Sequence, residues 1–112
     1  MREYRQVLPI SISEAEDVFS SGDPARIATA LVSIAFYESD WKWAQDKCLE
    51  HLFHSDEDIS GLAATCLGHI ARVHGKLEKA KVLNALKRWL SCLPIVGRIE
   101  DALQDIDMYI IG

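Results

Sequence analysis

No run of about 18 uncharged apolar residues, the length a membrane-spanning helix needs, occurs in the 112-residue sequence. The start, MREYRQVLPI, lacks the long apolar segment of a secretory signal, so the chain is expected in the cytoplasm. Cysteine is scarce and odd in number: Cys48, Cys66 and Cys92. Without an export signal, three cysteines do not make a disulfide framework, and reduced, mostly buried thiols are expected. Positive charge is also in short supply. Seventeen acidic against twelve basic side chains give a net charge of -5. That argues against a nucleic-acid or anionic-membrane surface, since either needs clustered Lys and Arg; a basic partner suits such a chain better. Also missing are a Gly-rich phosphate loop, a dinucleotide fingerprint, H-E-x-x-H and G-x-S-x-G. The carboxylate pairs Glu100-Asp101 and Asp105-Asp107 fall on one helical segment, where a solvated face accounts for them. The sequence offers no catalytic residue and no cofactor site, and reads as a non-enzyme.

What is present is the balance of a globular protein, 49% hydrophobic and 26% charged, in a length that suits one domain over residues 1–112. Almost nothing reads as a strand, whereas helix starts and stops recur. Ser13 with Glu16 three places on is a capping box and predicts a helix over 13–20, stopped at Ser21-Gly22. Asp23-Pro24 restarts the chain as cap and first helical residue, giving a helix over 24–37 with Ile27, Ala30, Leu31 and Ile34 inward. Ser39-Asp40 caps a helix over 41–54 whose stripe is Trp41, Ala44, Cys48, Leu49 and Leu52. The turn at 55–58 opens a helix to His74, with Ile59, Leu62, Ala63, Cys66, Ile70 and Val73 inward and Gly75 as terminator. A fifth helix over 78–91 uses Ala80, Leu83, Leu86 and Leu90, and Pro94 starts a sixth to Tyr109 with Ile95, Ile99, Ala102, Leu103 and Ile106.

The caps Asp23 and Asp56 lie 33 apart, Ala30 and Ala63 share that offset, and Leu49 and Leu52 match Leu83 and Leu86 at 34. These offsets pair the second helix with the fourth and the third with the fifth, as stacked two-helix repeats would. The expected fold is all-α, a short α-solenoid of about six helices, favoured over a four-helix-type bundle.

CLEHLFH and ATCLGHIARVHG each carry a C-x-x-H spacing, which on a helix puts a sulfur and a nitrogen on neighbouring lines of one face. Cys48 and Cys66 fall mid-stripe, however, while His51 and His69 fall at the edges. No ligand lies in a flexible turn of the kind that gathers zinc ligands. The pairs read as core cysteines beside boundary histidines, with no metal, rather than as a zinc site or a thiol nucleophile, whose low pKa burial would oppose.

Surface features remain. In DWKWAQ, Trp41 joins the apolar stripe but Trp43 points roughly to the opposite side; it either packs on the short first helix or anchors a partner. Around it, Glu38, Asp40, Asp56, Glu57 and Asp58 stand at turns that a solenoid would line up along one edge. Those five acids and Trp43 are the candidate partner-binding residues.

Four words along the chain carry a resemblance: Asp40 to Gln45 (D-W-x-W-x-Q), Cys48 to Leu52 (C-L-x-x-L), Ala63 to His74 (A-A-T-C-L-G-H-hydrophobic-A-R-x-H) and Gly97 to Ile106 (G-R-x-E-D-A-L-x-D-I). The stretch from Gly22 to Asp107 resembles small HEAT-like helical-repeat proteins, which are similar to immunity proteins of bacterial polymorphic-toxin and contact-dependent growth inhibition systems. The resemblance implies a chain that binds and neutralises the C-terminal domain of a cognate toxin inside the cell that makes it. The negative charge, apart from the resemblance, is compatible with blocking the nucleic-acid cleft of a basic nuclease. A general helical-repeat scaffold or regulatory subunit with a housekeeping partner is the alternative, and a small metal- or thiol-dependent enzyme a third.

Overall fold

The computed structural model describes residues 7–89 and 93–110. Six α-helices follow one another: α1 (Ile12–Ser21), α2 (Pro24–Tyr37), α3 (Trp41–Leu52), α4 (Glu57–His74), α5 (Lys79–Lys87) and α6 (Val96–Tyr109), the last entered through a 3₁₀ turn at Leu93–Ile95. The expected all-α architecture is present, and three of the six starts are set by the expected caps. Asp23, Asp40 and Asp56 accept hydrogen bonds from Ala25, Trp43 and Asp58 N–H at 3.1, 3.1 and 2.8 Å. Gly22 and Gly75 close α1 and α4 at φ 76° and 63°, where a side chain would be strained.

Several details differ from the sequence reading. The capping box of α1 is Ser11 with Glu14, not Ser13 with Glu16. SISEAE contains the S-x-x-E pattern twice, and the earlier register alone places apolar Ile10 before the cap and buried Ala15 at the fourth helical position, the pair that staples a helix start. α3 ends at Leu52, two residues early, and α5 ends at Lys87; Leu90, Ser91 and Cys92 lie outside the described residues. Val73 and Ala80, expected inside, are exposed.

α2, α4 and α6 run parallel as one layer, with α4 in the middle. Ala25 and Ala28 at the start of α2 lie beside Ile59 and Leu62 at the start of α4, and Phe36 near its end packs against His69 at 4.7 Å between centroids. A methyl on Gly61 would meet Arg98 and Ile95, and one on Gly68 would meet Asp105 and Ala102, so α4 and α6 are in step over their length. The return helices α3 and α5 run the other way. Ser60 donates to the Leu52 carbonyl at 2.7 Å, joining the end of α3 to the start of α4. Lys79 Nζ donates to the Ile110 carbonyl at 3.1 Å, joining the start of α5 to the end of α6.

The 33–34 offset reappears as contact register. Phe36 meets His69, and Gln45 meets Glu78. The outline, 31 × 28 × 27 Å, has no long axis marking a direction of stacking.

The core follows from this layering. α4 has neighbours on three sides, so its buried set extends beyond one stripe to Ser60, Gly61, Ala64, Leu67, Gly68 and Ala71. Small residues on it let α6 approach closely. Ser33, also buried, donates to the Leu8 carbonyl at 2.7 Å and pins the extended segment before α1 onto α2. Gln45 is fully buried. Its Oε1 accepts from Glu78 N–H and its Nε2 donates to Glu78 Oε1, both at 2.7 Å, supplying the start of α5 with the partner that its own cap residue does not.

Candidate partner-binding surfaces

Helix direction decides where the acidic turns fall. The turn between α2 and α3 carries Glu38 and Asp40, and the turn between α3 and α4 carries Asp56, with Glu57 and Asp58 following in the first turn of α4. The 12 residues of α3 separate them, about 18 Å at 1.5 Å per residue. Consecutive turns of alternating helices lie at opposite ends, so the single acidic edge expected from the sequence is replaced by two patches.

At one end are the last turns of α2, α4 and α6 and the first turns of α3 and α5. Asp40 is exposed and Glu38 half-buried; the Glu38 carboxylate accepts from Asp40 N–H at 2.9 Å. Trp43 is half-buried, packed against the hydrophobic cluster, with Lys47 Nζ 5.8 Å from its ring centroid. Nearby, Glu78 collects Lys42 at 3.9 Å and Lys81 at 3.6 Å, and Lys81 reaches Asp46 at 3.2 Å. The Gln45 hydrogen bond, with these lysines, holds the Glu78 carboxyl below the usual range. Much of the acid here is already engaged within the chain.

At the other end stand the starts of α2, α4 and α6. Glu57 and Asp58 are exposed and Asp56 half-buried. Asp56 N–H donates to His54 Nδ1 at 2.9 Å, which fixes the turn. Asp56 and Asp58 line a groove of about 320 Å³ that also includes Arg98, a residue whose contribution was not evident from spacing because it lies some forty positions away.

The C-x-x-H pairs resolve as core and boundary. Cys48 and Cys66 are fully buried free thiols; the Cys66 thiol beside it and burial push Cys48 well up, away from a reactive thiolate. His51 is half-buried, its ring tilted against Phe19 at 4.6 Å between centroids, with Nδ1 2.8 Å from the Lys47 carbonyl. His69 is half-buried between Phe36 and Arg72, and burial, then the Arg72 charge, pulls its pKa down while Asp105 opposes them. No group of three or more His, Cys, Asp or Glu side chains suited to holding a metal is found among the described residues, and no helix among them is long and apolar enough to cross a membrane.

The four sequence words have structural roles. Gln45, closing the first word, clamps α5. Gly68 and Arg72 of the third meet Ala102 and Asp105 of the fourth, Arg72 Nε lying 3.8 Å from Asp105. These contacts join α3 to the start of α5 and α4 to α6.

No family model matches the sequence. No curated protein matches it either. Among solved structures, one of a CDI complex from Cupriavidus taiwanensis LMG 19424 contains a chain 32% identical to this one, covering 99% of this chain and 100% of that one with a TM-score of 0.87. A likeness of that identity, end to end in both chains, places this protein in the same family as that chain of the CDI complex.

Proposed function

We propose that the protein is an immunity protein of a contact-dependent growth inhibition system: it binds the C-terminal toxin domain of a cognate partner in the cytoplasm of the producing cell and neutralises it by occupation, without chemistry of its own. The observation that carries this reading is the full-length similarity to a chain of a CDI complex. The four sequence words support it, and so does the layered 33–34 register, which we read as a short HEAT-like array acting as one domain.

The excess of acid favours a basic toxin, such as a nuclease whose nucleic-acid cleft the protein would cover. Of the six candidate contacts, Asp56, Glu57 and Asp58 form the principal patch. Glu38, Asp40 and Trp43 form a second patch at the far end, where neighbouring charges are largely paired within the chain.

Co-expression with the toxin encoded beside it tests the reading. Growth should be restored and the two proteins should purify as a one-to-one complex. Expression without protection would falsify it.

A further inference from the structure

The groove at the starts of α2, α4 and α6 has a composition that a merely solvated helix end does not require. Its floor is apolar: Ala25 and Ala28 from α2, Ile59 and Leu62 from α4. Two alanines on α2 leave room where larger side chains would fill the gap between the helices. The wall toward α6 is made by Arg98, whose side chain lies across Gly61; a methyl there would come within 2.9 Å of Arg98 Cδ. Gly61 thus lets the apolar stem of Arg98 lie flat on α4, as long cationic side chains do on apolar surface, and Arg98 itself remains exposed. Asp56 and Asp58 also line the groove, with exposed Glu57 between them in sequence. The lining holds two carboxylates against one guanidinium, with Glu57 beside them, so the groove is acidic, in keeping with the charge of the whole chain.

We propose that this groove is the anchor site for the toxin: it takes an apolar side chain of a toxin segment that carries Lys or Arg close by. The inference rests on the immunity reading and sharpens it by naming the surface and the chemistry of the segment. The apolar side chain sits over Ala25, Ala28 and Leu62, desolvated on its flanks, which is where interfaces concentrate their energy. Its basic neighbour meets Asp56 and Asp58, and Arg98 donates to a carboxylate or carbonyl oxygen of the same segment. Charge at the rim steers encounter, while the apolar contact slows escape.

The test uses the purified full-length protein and the toxin domain from the adjacent gene. Ala25→Trp and Ala28→Trp fill the floor, Asp58→Lys reverses the rim, and Glu16→Lys makes the same charge change on α1, away from the groove. Thermal melting of each variant checks folding; Ala25 is exposed, so Ala25→Trp leaves the core intact even if Ala28→Trp does not. Both Trp variants should weaken binding at least about tenfold, mainly through faster dissociation, and Asp58→Lys should slow association at low salt by about tenfold, with Glu16→Lys within about twofold of wild type. Wild-type binding with all three groove variants unaffected overturns the groove and leaves the immunity reading standing. A wild type that neither binds nor protects overturns both. Loss of self-association in the Trp variants, with toxin binding intact, assigns the groove to a second copy of this chain and overturns the proposal.

Discussion

His69 shows how burial governs a titratable residue here. Its ring rests on Phe36, Arg72 contacts Nδ1 and Asp105 lies just beyond Arg72. Burial first, and then Arg72, favour the neutral imidazole. A histidine whose folded pKa lies below its unfolded value makes the unfolded chain bind the extra proton first as pH falls. Stability should therefore decline as pH drops below about 6.5, the ordinary histidine value, until the folded ring titrates as well. The melting temperature between pH 7.5 and 5.5 should fall more steeply for wild type than for His69→Gln; parallel slopes would reject this account. At this scale Cys48 and Cys66 were legible in the sequence, because a position central to a 3.6-residue stripe is buried whatever its chemistry. Gln45 was not. A polar residue beside the stripe reads as boundary, and its partner Glu78 is 33 residues away.

The α4–α6 seam depends on Gly68. A methyl there would stand 2.9 Å from Asp105 Oδ2 and 3.4 Å from the Ala102 Cα. The first contact is the tip of a movable side chain, the second is backbone. Gly68→Ala displaces only the carboxylate and gains up to about 1 kcal/mol of helix propensity, so it should be near neutral. Gly68→Val presses branched methyls against Ala102 and should cost about 1–3 kcal/mol through overpacking. Urea unfolding of the two variants checks the contrast, and equal midpoints would place the seam elsewhere. Helices themselves were readable because Asp caps, Pro24, Gly22 and Gly75 mark their ends locally. Readings drawn from a single inward stripe fared less well: α4 is enclosed on several sides, yet its last turn leaves Val73 outside, and on α5 the inward line runs through Val82 and Leu86, leaving Ala80 in solvent. Those outcomes are set by neighbours that no window of one helix contains.

For the whole molecule, the distribution of charge follows from the alternation of helix direction. Each acidic turn was identifiable in the sequence, but assigning them all to one edge overlooked that α3 carries the chain from one end to the other. Arg98 joined the site for the converse reason: parallel α2, α4 and α6 bring first turns together from three distant segments. If the toxin is basic, its association rate should fall at least about tenfold between 50 and 500 mM salt while dissociation changes little, because screening removes steering before it removes contact. Stopped-flow mixing over that range measures it, and a flat association rate would remove charge from the mechanism. The parallel register also bears on how the molecule comes into being. Neighbours in that layer touch only after an intervening helix has returned the chain, so most of its defining contacts close loops of more than thirty residues, and non-local closure delays folding. The groove gains its Arg98 wall only once α6 has been synthesised and docked. A ribosome-bound chain ending before α6 would present acidic turns with no complete cleft between them, and protection would begin with the last helix rather than accumulate along the chain.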